Sequence, residues 1–436
     1  MRRGLEQYLN RGSFAAVAFV TRLGKLRDLN AVPLIERYLA ESRSGHWAAI
    51  AALEEIRSDE SIRALVKALD SKEWDAKRHA KEALLRIGVE AVPALLRSPN
   101  TTAEWILHQV GPQAIATLTE SLSDTDVGAR ARAVRALGSA EREETAQILV
   151  PLLKTGDAWV RAETAFALGR IGNPIAAGPL VEALGDENLE VRLYAGFALW
   201  KRAWAPDAAR GALFEMYRAA ATYPASKADI LECLMIRPDE QIAHLVIEAA
   251  GNQYDDVRAK AFDLLTNLPS APQELLAAGL RDQVISVQRT AAGLLIGAVG
   301  TLALPKLVEA FEEDPRNRYS LLEAIGRNLG EPGRDCLIRL LQSGLDQGAR
   351  ATAVVQLARF EDQPAASALI AALEAADPKQ ELNLTWELIE ALQNSDDPAV
   401  SRRLRTIATD ETANDYLRDL ATKALERIRK RAAAQP

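Results

Sequence analysis

The amino-acid sequence predicts an all-α chain, a right-handed solenoid of about thirteen stacked helical hairpins, and three observations carry that prediction. An Ala-Leu step recurs along the 436 residues, mostly at intervals of 30 to 35. Alanine and leucine dominate, with few β-branched runs, which favours helix over sheet. Between the recurring segments lie Gly or Asn-Pro, which end one helix so that the next can fold back.

The step falls at Leu23, Leu53, Leu84, Leu107, Leu137, Leu168, Leu199, Leu234, Leu265, Leu295, Ile325, Leu357, Leu392 and Leu425. Its clearest forms are DAWVRAETAFALGRIG from Asp157, NLEVRLYAGFALW from Asn188, DDVRAKAFDLL from Asp255 and DQVISVQRTAAGLLIG from Asp282. A second apolar segment lies between successive steps, such as ILVPLL before Lys154 and ASALIAAL before Glu374. Apolar residues at i, i+3, i+4 and i+7 give each helix one stripe to bury, and stacked neighbours supply the cover. The array is expected to run continuously over 1–425, with its most irregular stretch at 202–238 and a short unit between Leu84 and Leu107. Residues 426–436 read as the end of the last helix and a polar tail.

The run VRAETAFALGRIG at 160–172 resembles the HEAT-like repeat of the phycobilisome-lyase (PBS lyase) type. The resemblance implies an α-solenoid whose concave side is lined by one stripe of the signature helix, and it does not specify a function, because sites are grafted onto folds. Asp157 with Arg161, and Asp255 or Asp256 with Arg258, are expected to act structurally, the Asp as an N-cap and the Arg as a bridge to a neighbouring repeat.

The stripe falls one residue before the signature Val and two, three and six after it. It holds Trp159, Ala162, Glu163 and Phe166 in one unit and Glu190, Leu193, Tyr194 and Phe197 in the next, with Trp200 one turn further. The preceding unit supplies Ala131, Arg132 and Arg135, and an earlier one Arg78, His79 and Glu82. Trp47, Trp105, Tyr319 and Trp386 fall on the same stripe elsewhere. In a chain with only 5% aromatic residues, such a cluster on a solvent-lined face points to binding. The expected partner-binding set is Trp159, Glu163, Phe166, Tyr194, Phe197 and Trp200, with Arg132 and Arg135 steering acidic groups.

A formal charge of −7 disfavours nucleic acid and anionic lipid as partners. Cys233 and Cys336 are too few for a disulfide framework and are expected to stay reduced, which indicates a cytoplasmic location. Arg2, Arg3 and the apolar run Phe14 to Val20 lack a small-residue cleavage site and read as a repeat helix. No stretch of eighteen consecutive apolar residues occurs, so no membrane span is expected.

His46, His79, His108 and His244 are scattered and none precedes a Glu, unlike the paired His-Glu motifs of repeat-built iron hydroxylases. Cys-x-x-Cys, His-Glu-x-x-His, a phosphate loop and a nucleophile elbow are all missing from the sequence. No catalytic residue, metal or cofactor is therefore assigned. The expected function is a non-enzymatic scaffold that holds a partner protein or peptide in the groove. Two alternatives stand beside it: a phycobilin lyase-like tetrapyrrole handler, the one reading in which a bilin binds, and a helical-repeat DNA glycosylase, which needs a basic face.

Overall fold

Each recurring Leu or Ile lands on a helix of its own, and every one of them is buried. The computed structural model describes residues 14–41, 45–219, 222–315, 318–343, 345–360, 362–393, 395 and 397–434, and among these no strand occurs. Arg2 and Arg3 lie outside the described residues; the apolar run after them falls on helix Phe14–Lys25. The chain divides into two compact units between Ser226 and Lys227. That division lies inside the stretch expected to be irregular, where Ala203 and Ala205 adopt left-handed backbone, an uncommon state for a residue with a Cβ.

In the first unit the signature helices form one layer, each against the next: Phe14–Lys25, His46–Ile56, Trp74–Ile87, Thr101–Val110, Val127–Ser139, Ala158–Ile171 and Leu189–Arg202. Shorter companions such as Val32–Glu41, Asp59–Ala68 and Val92–Leu96 make a second layer. The five-residue Val92–Leu96 explains the short interval there. The second unit has a signature layer of its own, formed by Asp255–Leu265, Ile285–Val299, Arg318–Asn328, Gln347–Leu357, Leu382–Leu392 and Asp415–Ala434.

The stretch Ile285–Glu313, with mean hydropathy 1.8 in its most apolar window, is long and apolar enough to cross a membrane by length and composition. Its backbone is broken at Gly300, where φ is +59°, and the two helices bury Val287, Leu295, Leu307 and Phe311 as repeat helices do.

Glycine after the signature residue sets how closely the layer stacks. A Cβ on Gly138 would lie 2.6 Å from the Cβ of Ala167 and 2.9 Å from its Cα, and one on Gly169 would lie 2.6 Å from the Cβ of Ala198. The next helix occupies the space a side chain would need. After Leu53 and Leu107 the same position holds Glu54 and His108, and clefts lined partly by these polar side chains open between the helices there.

Arginines clamp the repeats at the helix starts. Arg161 grips Asp186 of the next unit with both arms, at 2.8 and 2.9 Å, and Arg258 does the same to Asp282 at 2.7 and 3.1 Å. The bridging role expected of these arginines is what the geometry shows, but the capping role of their aspartates is not. Asp157 stands at the cap position, yet its carboxylate accepts from Arg130 of the preceding unit at 2.5 Å, and Asp255 lies inside the first turn on Arg258. The Asp157 carboxylate is turned back toward the preceding repeat's guanidinium and is not placed over the N–H groups of its own helix. Capping falls instead to residues such as Asp126, Asn188 and Asp346.

Bonding to Arg161 holds the Asp186 carboxyl below the usual carboxylate range. A depressed folded-state pKa gives stability that is complete above the unfolded value and lost as pH falls through the folded one. The first unit is therefore expected to lose stability as pH drops below about 4. Acid-unfolding curves of Arg161→Ala should show less of that loss, and curves parallel to the parent's would remove this clamp from the account.

Candidate functional site

On the exposed side of the first unit's signature layer, three aromatic rings touch in sequence. Phe166 on Ala158–Ile171 meets Tyr194 on Leu189–Arg202 edge to face, with centroids 5.6 Å apart at 65°. Tyr194 meets Phe197, one turn along its own helix, at 6.4 Å and 76°. These are the geometries that oppose one ring's positive edge to another's negative face. Phe166 remains 41% exposed, and Trp159, two turns before it on the same helix face, 44%.

The other candidates sit differently. Trp200 is 4% exposed, with its indole N–H buried and without a hydrogen-bond partner, so it is core and not groove. It stands nine residues after Val191, and Leu193 stands two after it. Positions seven apart share a face, and that face meets the neighbouring helix, where Ala131, Ala162 and Leu193 are buried as well. The stripe is thus narrower than its spacing suggested: the offset of two belongs to packing, offsets of minus one and six face outward or half outward, and the offset of three is buried at Glu163 and half-buried at Tyr194.

Glu163 is 8% exposed and is not available to a partner. Its carboxylate accepts from Arg135 on both oxygens, one at 3.0 Å. Arg135 also reaches back to Glu104 at 3.1 Å, so one guanidinium ties together Thr101–Val110, Val127–Ser139 and Ala158–Ile171. The bond to Glu163 raises the Arg135 pKa further, which keeps the charge fixed. Arg132 is tethered too: its Nε donates 2.5 Å to the carbonyl of Leu96, and its side chain is only 10% exposed. Neither arginine is the loose rim charge that steering requires, because each is already spent on a protein acceptor.

Sequence reasoning missed Glu104, His108, Ser139 and Arg170. Ser139 Oγ lies 2.9 Å from His108 Nε2 and donates 2.9 Å to the carbonyl of Arg135, so the imidazole Nε2–H is the donor to the hydroxyl. Arg170 adds a long bond to the same oxygen at 3.4 Å. Burial pushes the His108 imidazole below its usual range, and Arg170 and Arg135 push it the same way. This pair is not a nucleophile and base, because the hydroxyl proton is committed to a carbonyl and the histidine gives rather than takes. The signal that finds these residues is their spacing: Glu104 to Arg135, His108 to Ser139 and Ser139 to Arg170 are each 31 residues, one repeat.

Among the described residues no group of three or more His, Cys, Asp or Glu gathers in a way that could hold a metal. Cys233 and Cys336 are buried and neither forms a disulfide. Burial pushes the Cys336 thiol up, away from the thiolate a nucleophile needs.

Comparison with known proteins agrees with the repeat geometry. The model of HEAT repeats matches residues 115–200, and that of the PBS lyase HEAT-like repeat matches residues 46–71. A HEAT repeat-containing taxis protein of Halobacterium salinarum is 34% identical over 138 residues, covering 30% of this chain and 32% of that protein, so the match spans under a third of the relative's length. Among solved structures, Kap95p with RanGDP superposes with a TM-score of 0.47 at 13% identity, over 98% of this chain and 67% of that one. The complex of CpcE and CpcF of phycocyanin lyase from Nostoc gives 0.32 at 18% identity, over 64% and 94%.

Proposed function

We propose that this chain, a protein of HEAT-like repeats with one of the PBS lyase type, is a non-enzymatic scaffold that holds a partner protein or peptide against the signature layer of its first unit. The observation that carries the reading is the run of contacting rings Phe166, Tyr194 and Phe197 on adjacent helices, left partly in water with Trp159 beside it. Exposed aromatic clusters of this kind mark interfaces. The polar groups around them are already paired, which supports a binding surface over a reacting one. The same pairing of Arg78, Arg86 and Arg135 with carboxylates speaks against nucleic acid, whose phosphates need unspent cations. The similarity to a HEAT repeat-containing taxis protein is in keeping with a scaffold. Two buried, unbridged cysteines support a reducing compartment such as the cytoplasm.

If this patch is the anchor, Trp159→Ala or Phe166→Ala should weaken partner binding by about 2 kcal/mol, roughly thirty-fold, with little change in melting. Melting curves and binding isotherms of each variant decide it: a large melting loss with intact affinity would return these rings to the core. A second reading, tetrapyrrole handling, is favoured by the PBS lyase HEAT-like match at 46–71, which includes the exposed Trp47. A red shift in bilin absorbance on titration with the protein would support it over the scaffold.

A further inference from the structure

Two charged side chains at the margins of the ring cluster escape the pairing found inside it. Glu190 and Lys201 are exposed, and neither makes an ion pair or a side-chain hydrogen bond among the described residues. They share a helix with Tyr194 and Phe197, and the four positions, at i, i+4, i+7 and i+11, fall on one stripe. At 1.5 Å per residue the stripe is about 16 Å long, with a carboxylate at its start, two rings in the middle and an ammonium at its end.

The neighbouring helix Ala158–Ile171 repeats the arrangement. Trp159 stands at the position of Glu190, Phe166 at that of Phe197 and Arg170 at that of Lys201, each 31 residues before its counterpart. Only Glu163, in the place of Tyr194, is withdrawn, buried against Arg135.

The two ends of the patch therefore differ in charge. Where the helices end stand Arg170, Lys201 and Arg202. Arg202 donates to the carbonyls of Gly169 and Arg170, which leave its charge unneutralised, and Arg170 reaches one carboxylate, Glu141, at 3.3 Å. Glu143, Glu144 and Asp207 follow on companion helices, in the other layer, the last two held by Arg142 and Arg210. Where the helices start the balance is reversed. Asp157 is held by Arg130, and Asp186 and Glu187 by Arg161, while Arg192 is turned to backbone carbonyls and Glu190 is left over.

We infer that this patch receives a protein segment that carries a basic side chain, an apolar stretch and an acidic side chain in that order along the stripe. The base lies beside Glu190 and Trp159, the apolar side chains on Phe166, Tyr194 and Phe197, and the acid beside Lys201 and Arg170. Charge complementarity at both ends selects this occupant: a cation is drawn to a carboxylate and to the face of an indole, and a carboxylate to an ammonium and a guanidinium. The inference rests on the scaffold reading of the same patch and adds the chemistry of the partner and the direction in which it lies.

The test titrates the full chain with three blocked six-residue peptides, long enough in extended form to span the stripe at about 3.3 Å per residue. All have Leu and Phe among four uncharged central residues; one carries Lys at one end and Glu at the other, one Lys at both ends and one Glu at both ends. Blocking the termini leaves these side chains as the only charges. Calorimetry and tryptophan fluorescence are expected to show the Lys/Glu peptide binding about five-fold tighter than either comparator, the scale of exposed ion pairs. Lys201→Glu should abolish the preference over the Lys/Lys peptide, Glu190→Lys that over the Glu/Glu peptide, and Phe166→Ala should weaken all three. Circular dichroism of each variant should match the parent, because these side chains are exposed. Equal binding of the three peptides by the parent, preferences untouched by both charge reversals, or no saturable binding of the Lys/Glu peptide would overturn the inference. Equal binding that Phe166→Ala still weakens overturns the inference and leaves the scaffold reading standing, whereas binding indifferent to Phe166→Ala removes both.

Discussion

Replacing Gly138 or Gly169 with alanine is expected to destabilise the first unit by about 1–3 kcal/mol, against the sign that helix propensity alone would give. Both glycines lie inside helices, where alanine is normally favoured by about 1 kcal/mol. The added methyl would sit 2.6 Å from the Cβ of Ala167 or of Ala198, and beside Gly138 the Ala167 Cα is only 2.9 Å away. Backbone cannot rotate aside as a flexible side chain can, so the helices must separate and lose the packing along their whole contact. Gly293 is the control: it is interior to Ile285–Val299, exposed, and has nothing within 4 Å of its Cβ position. Gly293→Ala should therefore stabilise the second unit by about 0.5–1 kcal/mol. Thermal melts of the three variants check this, and equal shifts of one sign would contradict the close-stacking explanation.

Removing Arg135 is expected to destabilise the first unit by about 2–4 kcal/mol. Arg135→Met strands Glu163, which is 8% exposed, and takes from Glu104 its only recorded ion-pair partner among the described residues. The figure lies below that for a fully buried pair because the Arg135 side chain is itself 31% exposed. Most of the loss is the cost of an unpaired carboxylate, so Arg135→Met with Glu163→Met should recover the greater part of it. A double-mutant cycle read by denaturant unfolding measures this coupling. If the double variant is as unstable as the single one, the guanidinium contributes by packing and not by neutralising Glu163.

The fold was legible because one packing problem is solved repeatedly. A signature Leu that must be buried against the next repeat recurs at the repeat length, and each one, from Leu23 to Leu425, marks a helix. What one sequence did not disclose is which side of the stripe touches a neighbour. Leu193 and Trp200 looked like groove residues by spacing, yet a ring at an inter-helix position disappears into the contact, whereas Phe166, four residues from the comparable Ala162, remains in water. Glu163 and Arg135 were read as separate surface charges because their pairing crosses 28 residues of sequence. Periodicity would have exposed the Glu104–Arg135 and His108–Ser139 contacts, since each is separated by one repeat. The expected N-cap at Asp157 failed for the same reason: Arg130 comes to it from the preceding repeat, which local rules do not see.

The most direct test of the scaffold reading is site-specific photocrosslinking in the source cell, with a photoreactive residue at position 166 in one variant and at position 181 in another. Val181 is comparably exposed but lies on the companion helix Ala177–Ala183, in the other layer. A discrete protein adduct from position 166 and none from position 181 is the predicted result. Adducts from position 181 alone, or equally from both, would contradict a partner held on the signature layer.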